Sequence, residues 1–177
     1  MNIKTVSVIK YPIDNVWTAM RDDLPKLLNF LEDIESITVQ LYENIEPEIT
    51  QVVNIWKASP KLPKILARRL DSNMFVWTDN AKWDKTKLEC AWNIEPHHFR
   101  DNVKCSGITK FELALGGRGT RVTFSGNIEW KSKSHASVSS FMEDAVFKGI
   151  EIFVQSLIPK NFRKVIEALT KYLDSNR

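Results

Sequence analysis

Apolar residues recur along the chain in two rhythms, and the change from one to the other divides a sheet-forming body from a helical tail. In the last quarter the spacing is helical. Phe141, Met142, Ala145, Val146, Gly149, Ile150, Phe153 and Leu157 form one stripe, and Phe162, Val165, Ile166, Leu169 and Leu173 continue it. This predicts a long helix over 137–174, opened by a capping box from Ser140 to Glu143. Pro159 lacks the N–H that a helix interior needs, so a kink is expected there. Such a rod would be roughly 50 Å long, and so wide an apolar face needs a large surface to lie on.

The earlier part of the chain supplies that surface. Residues 2–10 are rich in β-branched types and read as a strand. Asp14 is placed to cap a helix running through Val16, Trp17 and Met20, and Leu24, Leu27, Leu28 and Leu31 give a second short helix with Pro25 in its first turn. Six strands are then predicted. Ile37, Val39 and Leu41 mark the first, Asn44 to Pro47 turns the chain, and 48–58 is the second, with its inward side unassigned. The others fall at 75–83, 88–96, 102–115 and 118–130.

Three hairpins join these last four strands. A turn at Asp84–Lys87 would set Trp83 opposite Leu88 and Asp79 opposite Trp92. A loop at His98 and Phe99 would set Trp92 opposite Cys105, and a turn at Gly116–Gly119 would set Phe111 opposite Phe124. One choice of side then satisfies all three. Trp77, Asp79, Trp83, Cys90, Trp92, Cys105, Phe111, Leu113, Phe124, Ile128 and Trp130 share one face, while Lys, Glu, Asn, Thr and Ser dominate the other. A slip of one residue would turn the whole apolar set outward, so the agreement argues for an antiparallel sheet with one buried side.

Composition narrows the class. The 177 residues fit one domain, 1–177, and 43% hydrophobic content is enough for a sizeable core. A net charge of +3 is too mild to make nucleic acid the expected partner. No run approaches the ~18 apolar residues of a membrane span. The opening residues lack a signal-peptide core, and two cysteines make neither a disulfide framework nor a zinc set. A cytoplasmic protein with reduced thiols, and with no cofactor or metal, is the expectation.

Chemistry-bearing residues are few. His97, His98 and His135 fall in predicted loops without partners for a nucleophilic or metal site. Cys90 and Cys105 read as small core residues. Asp79 stands out, because its side of the sheet is apolar and an unpaired carboxylate there must be paired, wet or protonated. Six tryptophans are many for this length, and broad aromatic walls suit both core packing and a cavity for a flat ligand. Gly149 leaves room on the helix face. Between Glu48 and Asp71 there is no acid, while Lys57, Lys61, Lys64, Arg68 and Arg69 are basic, and Leu62, Ile65, Leu66 and Leu70 share a helical face. This segment reads as a lid over a cavity mouth, or as a transient contact with an anionic membrane.

The opening strand followed by Pro12, Val16 and Trp17, the hairpin Gly116-Gly-Arg-Gly-Thr-Arg-Val122 and the long final helix together resemble the START-like superfamily, also called SRPBCC. The resemblance implies an α+β helix-grip fold: a curved antiparallel sheet of about seven strands around a kinked C-terminal helix, with a ligand cavity between. It implies no universal catalytic residues. The first functional reading is a binder or carrier of an apolar small molecule such as a lipid, quinone, sterol-like or polycyclic compound. Trp77, Asp79, Trp92, Cys105, Phe124, Met142, Val146, Gly149 and Phe153 are its expected lining. The second is a polyketide cyclase/dehydrase-type enzyme using Asp79 as general acid or base. The third is a protein-interaction module using the outer sheet face, which reads as charged and free of an apolar patch.

Overall fold

The computed structural model describes residues 1–59, 75–98, 100–130 and 160–176. The chain opens with β1 (Asn2–Ile9), α1 (Ile13–Asp22) and a 3-10 helix (Leu24–Phe30). The strands β2 (Ile34–Glu46), β3 (Ile49–Ala58), β4 (Val76–Asp84), β5 (Glu89–Pro96), β6 (Val103–Ala114) and β7 (Gly119–Trp130) follow. A helix described over 160–175, α2, closes the chain. All seven strands form one antiparallel sheet in the order β1-β7-β6-β5-β4-β3-β2. The strand order along the chain, the helices after β1 and the terminal helix all match the sequence reading. The expected kink at Pro159, the capping box at Ser140 and the helix stripe up to Leu157 lie outside the described residues, as does the basic segment at 61–70.

Local chemistry differs from expectation at several ends. Pro12, not Asp14, takes the N-cap position of α1, and the cap has no side-chain hydrogen bond. Asp14 instead sits in the first turn, where a negative charge suits the helix dipole, and pairs with Lys85 at 2.5 Å. The second helix is 3-10 throughout, and it buries Leu24 and Leu27. β2 runs on to Glu46 through the expected turn at Asn44, and Glu46 pairs with Ile49 across Pro47 and Glu48.

The hairpin registers are each offset by two from the sequence reading. Trp83 faces Cys90 rather than Leu88, Trp92 faces Gly107 rather than Cys105, and Phe111 faces Val122 rather than Phe124. In the first hairpin the loop is one residue later, at 85–88, because Asp84 still belongs to the strand. Its Oδ1 accepts hydrogen bonds from the backbone N–H groups of Thr86 and Lys87 and from the Thr86 hydroxyl, and Leu88 turns the chain at φ 52°. In the last hairpin the loop is one residue earlier, with Leu115, Gly116 and Gly117 all at positive φ. A loop displaced by one residue displaces the pairing by two, and two is the side-chain period of a strand, so the face assignments survive within the strands, while Leu88 leaves its face for the turn.

The buried apolar residues form one core cluster, to which both helices contribute. At one end of the sheet α1 inserts Trp17, 1% exposed, edge-on to Trp83 at 5.0 Å and to Phe111 at 5.1 Å. Edge-to-face contact sets the positive ring edge against the negative ring face. α2 buries Phe162, Ile166, Ala168 and Leu169 in the same cluster. Polar contacts among the described residues fasten α2: the Tyr11 hydroxyl donates to Asp174, the Tyr172 hydroxyl donates to Asp23 at 3.0 Å, and Lys164 pairs with Asp33. Leu113 shares the inward parity but is 66% exposed, since β6 there runs past the packed elements toward the Leu115 turn.

Candidate functional site

On the inner face the side chains line up in rows across the strands. β3, whose inward side the sequence left unassigned, turns Thr50, Val52, Asn54, Trp56 and Ala58 inward. Its pairing with β4 places Asn54 opposite Asp79, and the same row continues through Ile94, Cys105 and Ile128. The row on one side contains Trp56 and Trp77. The row on the other contains Val52, Ala81, Trp92, Gly107 and Gly126.

Aromatic surfaces flank the polar row on both sides. Trp56 and Trp77 stack at 5.7 Å with planes 14° apart. Trp92 stacks on Phe124 at 4.5 Å and 3°, and Phe124 stacks on Phe162 of α2 at 4.1 Å. Trp92 can lie flat because its row has no side chains under it. A Cβ on Gly107 would fall 2.3 Å from the indole, and one on Gly126 would fall 2.4 Å from it. The two glycines are a seat for this ring, a role that the sequence reading did not assign to them.

Two polar side chains in this setting lack partners among the described residues. Asn54 is 3% exposed and its Oδ1 accepts no hydrogen bond from them. Asp79 is half-buried and has no hydrogen-bond or ion-pair partner among the described residues. Burial alone pushes its carboxyl up to about 7. No lysine or arginine falls on the inner face of β3, β4, β5, β6 or β7. Burial, with the nearby Asp79 charge second, pushes the Cys105 thiol up to about 12 and the Cys90 thiol well above its ordinary value. Both are therefore neutral and poor nucleophiles. The indole N–H groups of Trp56 and Trp92 are buried without acceptors among the described residues as well.

The structure thus gathers Trp77, Asp79, Trp92, Cys105 and Phe124 of the sequence set on one inner surface, whereas Met142, Val146, Gly149 and Phe153 lie outside the described residues. Asn54 and Trp56 were missed. The polar Gln51 and Lys57 on the half-buried side of β3 carried the signal, because turning Lys57 outward turns Trp56 and Asn54 inward. His97 and His98 are exposed, and His97 Nε2 lies 2.9 Å from the Thr78 hydroxyl on the outer side. Among the described residues no group of three or more His, Cys, Asp or Glu is placed to hold a metal, and no described helix is long and apolar enough to cross a membrane. The outer face is less uniformly polar than the sequence suggested: Val6, Val8 and Ile108 are exposed there, set among Lys4, Lys110 and Arg121.

No protein-family model matches the sequence, and no curated protein matches it. Solved structures do match the fold. A protein from Thermus thermophilus superposes with a TM-score of 0.68 at 19% identity, covering 99% of both chains. The ZhuI aromatase/cyclase from Streptomyces sp. R1128 gives 0.66 at 12% identity over 98% of this chain and 93% of its own. Norcoclaurine synthase from Thalictrum flavum, in complex with dopamine and hydroxybenzaldehyde, gives 0.62 at 10% identity over 100% and 88%. At such identities the likeness is one of fold, and that fold is the helix-grip arrangement of a seven-stranded antiparallel sheet and a C-terminal helix.

Proposed function

We propose that the protein binds an apolar, largely aromatic small molecule between the inner sheet face and the C-terminal helix. The observation that carries this reading is the row of Asn54 and Asp79, unpartnered among the described residues and flanked on one side by Trp56 and Trp77 and on the other by Trp92 and Phe124. Flat apolar walls with a few convergent polar groups are the usual make-up of a small-molecule site. A core built only for stability would satisfy or omit those groups, since a buried acceptor left unpaired costs about 1–3 kcal/mol. Two proteins of the same fold bear names that point to aromatic compounds, the aromatase/cyclase and the synthase in complex with dopamine and hydroxybenzaldehyde. In this reading Trp77, Trp92 and Phe124 give apolar contact, Cys105 gives a neutral wall, and Asp79 orients a polar group. Met142, Val146, Gly149 and Phe153, outside the described residues, are the sequence's candidates for the rest of the lining.

Native mass spectrometry of freshly purified protein tests the reading. A non-covalent adduct that is released into organic solvent is the expected result. A bare polypeptide mass, together with tryptophan fluorescence that does not respond to an apolar dye such as 1-anilinonaphthalene-8-sulfonate, would refute it.

One observation favours a second reading, a cyclase- or dehydrase-type enzyme. A carboxyl that titrates near 7 is matched to general acid–base work at neutral pH. Under that reading Asp79→Asn abolishes turnover while leaving ligand affinity within about tenfold; under the binder reading there is no turnover to abolish.

A further inference from the structure

The polar row also indicates what kind of ligand it would take. Asn54 Oδ1 and the Asp79 carboxylate are both acceptors, and both lack donors among the described residues. They stand directly opposite on neighbouring antiparallel strands, a placement that brings side-chain origins to about 4.5–5.5 Å. No basic side chain of β3, β4, β5, β6 or β7 shares their face. On α2, Lys164 is committed to Asp33, and Lys160, Arg163 and Lys171 are exposed. A stacked tryptophan pair, Trp56 and Trp77, occupies the adjacent row. We propose that this corner receives a protonated amine, a primary or secondary ammonium carried on an aromatic body.

An ammonium nitrogen has two or three N–H donors, enough to bridge the amide oxygen and the carboxylate. Its charge meets the acid of this row, and a tryptophan face favours a desolvated cation further. The inference rests on the cavity reading and adds the headgroup to it. Its rival is a closed pair, in which Asp79 keeps its proton and donates it to Asn54, so that no ligand charge is needed.

The two differ in pH dependence. Among the described residues, the other titratable groups near Asp79 are the thiols of Cys90 and Cys105, and both are held neutral. Asp79 is therefore the group that switches. Tryptamine and indole-3-ethanol share a ring and differ in the headgroup, so they serve as matched compounds for isothermal titration calorimetry.

At pH 8 tryptamine should bind at least tenfold more tightly than indole-3-ethanol, and at pH 5.5 that preference should shrink at least tenfold. Asp79→Asn should remove the preference and keep indole-3-ethanol binding. Should that variant fail to fold, the wild-type protein suffices. Binding of tryptamine at pH 6 should release up to about 0.9 proton, the fraction held there by a carboxyl titrating near 7. Equal affinities, a preference that survives Asp79→Asn, or no proton release would overturn the proposal. If neither compound binds while an apolar molecule co-purifies, the amine inference fails and the cavity stands. If neither binds and nothing co-purifies, the cavity reading fails with it.

Discussion

Replacing Asp79 by asparagine should change how stability depends on pH more than it changes stability at any one pH. The carboxyl titrates near 7 in the folded protein and near 3.8 when unfolded. Between those values the folded state holds a proton that the unfolded state has released. Stability is therefore highest below pH 4 as far as this group is concerned, and it falls as pH rises through 7. The full displacement corresponds to about 4 kcal/mol at 1.36 kcal/mol per pH unit. Of that, about 2.6 kcal/mol should fall between pH 5 and pH 8. The side chain is half-buried, and water reaching it lowers the figure, so a loss of about 1–3 kcal/mol over that interval is expected. Asparagine does not titrate, so the variant should lack this part of the slope. Urea denaturation of both proteins at pH 5 and pH 8 measures it, with equal m-values confirming that the same transition is compared. The informative quantity is the double difference, which cancels every other titrating group. Parallel pH profiles for the two proteins would show that Asp79 ionises as an exposed carboxylate does, and would remove the basis for treating its row as a binding site.

Two further outcomes follow from the same face of the sheet. Gly107→Ala should destabilise by about 1–3 kcal/mol and alter the near-ultraviolet circular dichroism, because the new methyl would fall 2.3 Å from Trp92 and 2.2 Å from the Ser125 carbonyl oxygen; an unchanged spectrum would contradict the seat assigned to this glycine. Cys90 and Cys105 are buried with thiols held neutral, so Ellman's reagent at pH 8 should label neither in the folded protein and both in denaturant, and rapid native labelling would show that the inner face is open to solvent.

Which side of each strand faces inward was legible in the sequence wherever hairpins could be checked against one another. Trp77, Asp79, Trp92 and Phe124 were assigned to one face from alternation alone, and they share it. The pairing itself was not legible. Placing the β4–β5 loop at 85–88 depends on the Asp84 side chain capturing the N–H groups of the turn, and alternation does not sense that. β3 defeated the pattern because Val53 and Ile55 make its outer side as apolar as its inner side. Asn54 was hidden with it, and without Asn54 the acid on β4 looked like a single anomaly rather than half of a row. Asp14 was misassigned because its identity suits a cap, while the chain's entry through Pro12 puts it two residues inside. Exposed apolar residues such as Leu113 show the converse limit, since parity gives a direction and says nothing of what is there to cover it.

The glycine seat also bears on how this protein can change over generations. Trp92, Gly107 and Gly126 come from three different strands, yet no one of them can be altered to something larger without disturbing another. A descendant that keeps the indole is confined to glycine at both other positions, and one that fills either glycine must first give up the ring. The three sites therefore form a ratchet, in which loss of the tryptophan frees both glycines to drift and its return is then blocked by whatever has accumulated. In an alignment of relatives a large aromatic at position 92 should coincide with glycine at 107 and 126, and positions 107 and 126 should diverge together wherever it is absent.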